Sequence, residues 1–531
     1  MRAPSISAIL FASILCIPAA SHATTGDHHE FNAWLEAPFR ADALGGRTLT
    51  LHFSAPDPQA GGTLRWRLTL LSPDGRALRN WRGTRQPDES AGPVTLRWRT
   101  PPTLRAGVYS LRLRASAGDG HTIEQSWNVA VGAAPLALPL TPPAGDALPY
   151  AVYLGNLHSQ TSHSDGGGAL DHCTGAQPPQ STALGPLDAY AYARQHGLDF
   201  LMTSEHNHMY DGSDGTNSAA DPAAAKALYQ SGLQAAATWN QAHPAFLAIY
   251  GQEWGVINKG GHLNIFNSGE LLGWERNAEG ELIADTETPK SDYAFLYRLM
   301  RERGWFGQFN HPQDDQFAIG GKPLAWNADG DQAMLLCEVM NSSAFSSRSD
   351  EGETHLSNFE PACNKLLEAG YHVAFSSDQD NHCANWGSAY SNRTGVLMPP
   401  GAPLDAAGLL DALRARRVFA TMDKNAQLVL TANGHLMGER FVNSGKLTLV
   451  ADYASKTGHA LAAITLFQGV PGRNGTVAAL TNMPRSVIRP SVGEHFYYAR
   501  VTQDDGKMLW SAPVWVSQRG RNRALGKIGL R

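Results

Sequence analysis

YAVYLGNLHSQTSHSDGGG, residues 150–168, sets a short apolar run against a crowd of polar groups and ends in three glycines. His158, His163 and Asp165 fall within eight positions. So much glycine resists a helix, and a core strand rarely carries so many polar side chains. The segment reads as a strand that runs into a polar loop. Imidazole, amide and carboxylate gathered at a strand end suggest a metal or catalytic site.

The same texture repeats through residues 150–423. The apolar runs GLDFLMTSEH, FLAIYGQEW, WFGQFNHP, AMLLCEVMN and YHVAFSSDQD each end near His, Glu, Asp or Asn. Between several of them lie helical patterns, clearest in GPLDAYAYARQHG, PKSDYAFLYRLMRERG, NFEPACNKLLEAG and DAAGLLDALRARR. Alternating strand and helix predicts a parallel sheet or barrel with its polar groups at the strand C-termini. On either side the period changes to two. Runs such as RTLTLHFSA, GTLRWRLTLLS and GVYSLRLRAS predict an antiparallel β-sandwich over 24–132. A proline-rich linker follows at 133–149, and a second, smaller sandwich is expected over 424–517, from runs such as GKLTLVADYA and EHFYYARVTQ. The basic end, 518–531, reads as a solvated tail.

A chain of 531 residues suggests two to four domains. A formal charge of −5 and a pI near 6.5 argue against nucleic acid or an anionic membrane as the main partner. Residues 1–23 read as a secretory signal: Arg2, the apolar run ISAILFASILCIPAA, then SHA before Thr24. No later stretch is apolar enough to span a bilayer. The mature chain is therefore expected in the periplasm or outside the cell. Removing Cys16 with the signal leaves Cys173, Cys337, Cys363 and Cys383, which allow three pairings. Cys173 and Cys383 each flank a polar motif, which favours joining them and pairing Cys337 with Cys363. Free buried thiols are the alternative.

Six clusters carry candidate chemistry: His158, Gln160 and Asp165; Glu205, His206 and His208; Glu253; His262; His311; and Asp378, Asp380 and His382. Each alone has a bland explanation as a capped loop or turn residue. One cluster at each successive strand end brings all six to one barrel face. Imidazole and carboxylate are the ligands that Zn, Mn and Fe prefer.

LHSQTSHSDG, GLDFLMTSEHN, a following Glu, GHLN, NHP and SDQD, in that order, resemble the polymerase-and-histidinol-phosphatase (PHP) superfamily over residues 150–423. With the flanking β-domains and SEHN, the chain is similar to that superfamily's exported, carbaryl-hydrolase-like branch. The resemblance implies a central distorted (β/α)7 barrel holding two or three divalent ions. On it, His158, Glu253 and Asp378 would hold one ion. Glu253 would bridge to a second, held also by His262 and His311, and Asp165 and His206 would hold a third. Gln160 stands where the superfamily has a histidine. Asp380 does too, with His382 two residues on as a substitute ligand.

The expected function is a metal-dependent hydrolase, first a phosphoesterase that uses metal-activated water. His208 and His382 are candidate acids for the leaving group, and Arg393 a candidate anion binder. A carbamate or carboxylic ester hydrolase on the same centre is the alternative. It would favour an aromatic pocket, for which Trp254, Trp305, Trp326 and Trp386 are candidates, with core packing as their other reading. The non-enzymatic alternative is an envelope binding or scaffold protein whose altered ligands mark a degenerate centre. Small-molecule esters are the expected partners.

Overall fold

The computed structural model describes residues 31–54, 63–85, 92–118, 120–132, 150–173, 184–210, 219–256 and 260–520. The expected signal segment, the 133–149 linker and the tail beyond residue 520 lie outside the described residues.

Seven strands come first: β1 (Asn32–Glu36), β2 (Gly46–Ser54), β3 (Leu64–Leu71), β4 (Ala77–Arg85), β5 (Val94–Arg99), β6 (Gly107–Ser116) and β7 (Thr122–Val131). They make two antiparallel sheets, ordered β1-β2-β5 and β4-β3-β6-β7. Period two does this work locally. In β3, Leu64, Trp66, Leu68 and Leu70 are buried while Arg65 and Arg67 face water.

The central region runs β8 (Ala151–Asn156), α1 (Pro186–Gln195), β9 (Phe200–His206), α2 (Pro222–Ala242), β10 (Leu247–Val256), β11 (Gly261–Phe266), β12 (Leu272–Gly273), β13 (Thr286–Glu287), α3 (Tyr293–Arg303), β14 (Phe306–Phe309), α4 (Ala328–Ala333), β15 (Met334–Ser342), β16 (Leu356–Asn358), α5 (Glu360–Ala369), β17 (Ala374–Asp378), β18 (Arg393–Met398), α6 (Ala406–Arg414) and β19 (Val418–Thr421). Its helices are amphipathic and capped. In α3, Tyr293, Leu296, Tyr297 and Met300 bury one face at helical spacing. Asp292 accepts from the Phe295 N–H at 3.0 Å, and Gly304 stops the helix at a φ of 71°.

Ten strands complete the fold: β20 (Ala426–Ala432), β21 (His435–Leu436), β22 (Arg440–Ser444), β23 (Leu447–Ser455), β24 (Leu461–Gly469), β25 (Ala478–Thr481), β26 (Arg485–Ile488), β27 (Gly493–Gln503), β28 (Met508–Ser511) and β29 (Val514–Arg519). β21, β20, β23 and β26 form a four-stranded sheet.

The expected (β/α)7 barrel is corrected here. The molecule is built mostly of sheet, with six α-helices among the described residues. Its main sheet runs β16-β15-β14-β11-β10-β9-β8-β18-β19-β28-β27-β24-β25 and is mixed. β8, β9 and β10 pair in parallel, as do β14, β15 and β17. β10 and β11 instead form an antiparallel pair, β14 lies antiparallel to β11, and β18 antiparallel to β8. The physical reason is that GHLNIF, read as a strand-end loop motif, is itself a strand that turns back on β10 with no helix between. The flanking sandwich expected at the C-terminal end is not separate either. β19 pairs with β28, so the sheet continues without an edge, and one apolar cluster joins Leu154, Phe200 and Val396 to Leu428, Leu449 and Val501.

Candidate metal centre

Strand pairing brings the distant motifs together. His206 closes β9, and the parallel register sets it opposite Glu253 in β10. Antiparallel pairing sets Gly255 opposite His262. A Cβ at Gly255 would overlap the His262 ring, so glycine lets that imidazole lie across the strand. His158 follows β8, His311 follows β14, and Asp380 and His382 follow β17. Gly167, in the loop that opens the sequence motif, has a φ of 74° and packs against the Leu184 carbonyl, where a side chain has no room.

Glu253 is the hub. Its Oε2 lies 2.9 Å from His158 Nε2 and 2.8 Å from His206 Nε2. Its Oε1 lies 3.2 Å from His262 Nδ1 and 3.5 Å from His311 Nε2. Two amides fix the carboxylate: Gln160 Nε2 donates at 2.7 Å and Asn310 Nδ2 at 2.8 Å. A second carboxylate, Asp165, sits 3.1 Å from His206 Nδ1 and 3.3 Å from His382 Nε2. A third, Asp380, is 3.0 Å from His158 Nε2 and 3.7 Å from His382 Nδ1.

Three sets have donor atoms near enough to share an ion: His158, Glu253 and His311; His206, Glu253 and His262; Asp165, His206 and His382. This redistributes the expected ligands. Asp378 stands apart from all three, because its oxygens accept from the Leu157 N–H at 2.7 Å, Thr394 Oγ1 at 3.0 Å and Gln308 Nε2 at 3.1 Å. It anchors the backbone behind His158. His382 joins Asp165 in a ligand set. His208 packs beside His206, ring centres 5.0 Å apart, and is not among the cavity's lining residues.

Arg393 is not turned to the site. It is almost wholly buried and donates to the carbonyls of Tyr390 at 3.0 Å and Asn392 at 2.7 Å, with Glu351 3.4 Å away. Burial, against the pull of Glu351, holds its pKa down at about 10. The four tryptophans miss the site as well. Trp254, Trp305 and Trp386 are core, and Trp326 lies on the surface.

Electrostatics describe a crowd of buried charges. Burial pushes the His158 imidazolium down, and Asp380, Glu253 and Glu338 outweigh it, so its pKa lies well above the ordinary value. His206 is raised in the same way by Asp165 and Glu253. Burial alone would raise Asp165 and Glu253, but the histidines beside them hold both well below the usual carboxylate range. Gln160 Oε1 and His262 Nε2 are buried without a hydrogen-bond partner. Buried lone pairs without a donor are costly, and a cation satisfies them. Nitrogen and carboxylate donors in this density fit divalent ions of the zinc, manganese or iron kind.

Two groups, Glu338 and Asn310, escaped the sequence reading. Glu338, inside the fully buried β15, lies 3.2 Å from His158 Nδ1 and accepts from the His311 N–H at 2.7 Å. Asn310 bridges to Glu253. Glu205 turns away and pins the 159–168 loop, accepting from the Thr161 N–H, Thr161 Oγ1 and Ser164 Oγ at 2.9, 2.6 and 2.7 Å. Burial pushes its carboxyl up to about 7. A polar residue amid a run as apolar as MLLCEVM was the available signal for Glu338. Two site residues also hold left-handed backbone, His311 at a φ of 28° and Asp380 at 52°. Such strain costs on the order of 1–3 kcal/mol and collects at functional sites.

A cavity of 360 Å³ opens onto the cluster. His206, His262, His311, Asp380 and His382 form its floor, and Asn32, Trp34, Ser54, Asn341, Phe345, His355 and Phe359 are among its walls. Among the described residues no lysine or arginine lines it.

No family model and no curated protein matches this chain. Solved structures found in comparison include a Parabacteroides merdae β-glucuronidase (9% identity, covering 93% of this chain and 64% of that one, TM-score 0.16). Others are Bacteroides uniformis β-glucuronidase 3 (9%, 93% and 64%, 0.16) and an FMN-binding β-glucuronidase from Facaelibacterium prausnitzii L2-6 (11%, 92% and 73%, 0.17). This chain thus spans less than two thirds of the length of the first two. Likeness at such TM-scores supports neither a shared fold nor a shared activity.

The resemblance to the PHP superfamily is therefore corrected: no family model supports it, and the mixed sheet is not the superfamily's (β/α)7 barrel. The phosphoesterase reading falls with it: among the described residues the cavity has no lysine or arginine to hold a phosphoryl group. The four tryptophans expected for the carbamate and ester alternative do not line the cavity, whose aromatic residues are Trp34, Phe345 and Phe359 instead. The scaffold alternative rested on degenerate ligands, yet Gln160 and Asp380 both turn into the cluster.

The chain pairs Cys173 with Cys383 and Cys337 with Cys363. The first bridge ties the loop after Asp165 to the loop carrying His382. No helix among the described residues is long and apolar enough to cross a membrane.

Proposed function

We propose that this chain is a metal-dependent hydrolase that holds two or three divalent ions, zinc, manganese or iron, in the cluster around Glu253. The observation that carries the reading is one buried carboxylate within 3.5 Å of four imidazoles from four separate strand ends. Bound divalent ions supply Lewis acidity and lower the pKa of a water they hold. The chain's own part is positioning and proton movement. Gln160 and Asn310 lock Glu253 so that both oxygens face donors. Glu338, accepting at Nδ1 of His158, leaves Nε2 of that ring free to bind. Asp380, on the cavity floor and outside the three donor sets, stands where a proton can be taken from an attacking water and returned to a leaving group. Two disulfides favour an oxidising compartment, in keeping with export.

The test is elemental analysis of the purified chain and of Glu253→Gln, with turnover of a chromogenic glycoside, ester and amide panel before and after chelation. Two or more ions in the parent, few in the variant, and turnover that chelation abolishes and metal restores are expected. Fewer than two ions, or turnover indifferent to chelation, refutes the reading.

A further inference from the structure

Ser357 and Phe359 line the metal cavity, whereas Glu360, Pro361 and Asn364, next along the chain, line a second and larger cleft of 640 Å³. One wall of that cleft is the outer face of the N-terminal sheet. Period two in GVYSLRLRAS turns Tyr109, Leu111 and Leu113 into the sandwich and leaves Val108, Ser110 and Arg112 outward. Register sets Asn128 opposite Ser110 and Ser126 opposite Arg112, so these four share one face. The C-terminal sheet faces them with Arg500 and Thr502, two residues apart on β27. Asn128 Nδ2 donates to Thr502 Oγ1 at 2.8 Å and fixes one strand against the other. On one side of that contact the Ala130 N–H bonds the Phe39 carbonyl, and Arg40 holds the carbonyl of Asp504. Two residues the other way along the two strands come Ser126 and Arg500. Arg112, Ser126 and Arg500 therefore lie towards the same end of the cleft.

We propose that this cleft is a second ligand site, separate from the metal centre, and that it takes a small organic carboxylate. The inference is independent of the hydrolase reading. Arg500 is the anchor. Its side chain is only 11% exposed and is held from two sides. Nη1 donates to Glu360 Oε2 at 2.6 Å, and the guanidinium carbon lies 5.0 Å from the Phe467 ring centre. Tyr498 donates to the other oxygen of Glu360 at 2.8 Å, so that carboxylate is occupied in holding the arginine. A guanidinium carries five N–H donors in a planar fork. Among the described residues only Nη1 of Arg500 has a hydrogen-bond partner, which leaves the donors on Nε and Nη2 to the contents of the cleft. Ser126 is 8% exposed, lines the same cleft, and its hydroxyl has no hydrogen-bond partner among the described residues. Donors so confined are costly unless met.

A carboxylate matches this set. It is planar, it only accepts, and it meets an arginine fork through two oxygens. The Ser126 hydroxyl supplies a further donor. Arg112, half exposed with its Nε 3.3 Å from Glu124, adds a second guanidinium on the facing wall. Glu124 and Glu360 offset part of the arginine charge, so recognition rests on hydrogen-bond geometry more than on net charge. Val108, Ile464, Phe467 and Val477 give the cleft an apolar side along which the body of the ligand lies. A free inorganic anion leaves that side empty and gains less. Size and place agree, since pockets of about 300–1,000 Å³ where domains meet are usual for small molecules.

The test uses the full chain, as purified and after chelation, with circular dichroism on every sample. The chelated chain separates binding here from carboxylate coordination to a metal. Calorimetry and ligand-observed NMR follow benzoate and D-galacturonate, their uncharged counterparts benzamide and D-galactose, and sulfate, all at one ionic strength. Two variants accompany the parent: Arg500→Lys, which keeps the charge beside Glu360 but loses the fork, and Arg112→Gln, on a side chain exposed enough to leave the fold intact. At least one carboxylate is expected to bind, with or without metal, and more tightly than its uncharged counterpart and than sulfate by about tenfold or more, as for one charge-assisted hydrogen bond. Arg500→Lys is expected to weaken it by about tenfold and Arg112→Gln by about threefold. If chelation unfolds the chain, the two variants read on the chain as purified decide the case. Failure of both carboxylates to bind overturns the inference. So does equal binding of the uncharged counterparts or of sulfate, binding lost from a folded, chelated chain, or affinity unchanged in both variants. None of these outcomes bears on the metal reading.

Discussion

Glu338→Gln is the sharpest test of how the centre is organised. The parent carboxylate makes three contacts: His158 Nδ1 at 3.2 Å, Asn341 Nδ2 at 3.0 Å and the His311 N–H at 2.7 Å. All three neighbours can donate, so two carboxylate oxygens suit them and an amide does not. If the glutamine NH₂ turns to His158, it donates to Nδ1. The ring proton then moves to Nε2, the atom that faces Glu253 and Asp380 and would bind metal. If the NH₂ turns the other way, it meets the His311 N–H donor to donor. Either orientation forfeits at least one charge-assisted hydrogen bond, worth about 1.5–3 kcal/mol, and an NH₂ turned to His158 also faces the Asn341 Nδ2 donor. That corresponds to roughly a 10- to 100-fold loss of affinity, the usual scale for a partner that orients a ligating histidine. Competition calorimetry against a chelator of known affinity reads this directly, with circular dichroism to show that the fold persists. A folded Glu338→Gln chain that binds metal within about twofold of the parent would refute the orienting role, since a change of 0.4 kcal/mol or so is below any hydrogen bond of this kind.

Further outcomes are expected elsewhere in the molecule. Glu253→Ala leaves the buried His158 and His206 charges without their shared partner and should destabilise the metal-free chain by about 3–5 kcal/mol; a chemical denaturation midpoint equal to the parent's would contradict the hub. Burial holds the His355 imidazole down at about 4, against a pull from Glu353 and with a push from His52. A base whose folded pKa is depressed stabilises fully above its unfolded value near 6.5, and that contribution drains away as pH falls through about 4, by up to roughly 3 kcal/mol. Melting temperature should therefore drop across this window in the parent and drop less in His355→Gln; parallel curves would show that the ring under Trp34 is not the sensor. Removing the Cys173–Cys383 bridge, which spans 210 residues, with paired serine substitutions should cost about 3–5 kcal/mol. It should also weaken metal binding, because the loops of Asp165 and His382 lose their tie. Unchanged metal affinity in the folded double variant would argue that the cluster alone sets the loop positions.

Much of the centre is legible in one dimension because strand-end chemistry is local. A run such as FLMTSEH buries its apolar residues and delivers its last side chains to the sheet's end, whatever it pairs with. His158, His206, Glu253 and His311 are therefore found by reading the ends of apolar runs, whereas His262 opens its strand. Glu338 is harder to find. Its strand is buried at every position, so no alternation betrays which face it takes, and its partner lies 180 residues away. Asp378 and His382 sit four residues apart, and which one reaches the cavity depends on the backbone between them, where Asp380 turns through a φ of 52°.

The order of apolar runs, the spacing of helices and the chemical identity of the donors belong to the chain itself, because burial periodicity and side-chain chemistry are properties of a few consecutive residues. Strand direction does not. GHLNIF reads equally well as a loop motif or as a returning strand, and only its pairing with β10 turned the expected barrel into a mixed sheet that runs on into the C-terminal strands. The place of Asn32 and Trp34 in the lining of the cavity is likewise set by tertiary contact alone. Packing between segments hundreds of residues apart leaves no periodic trace in either one.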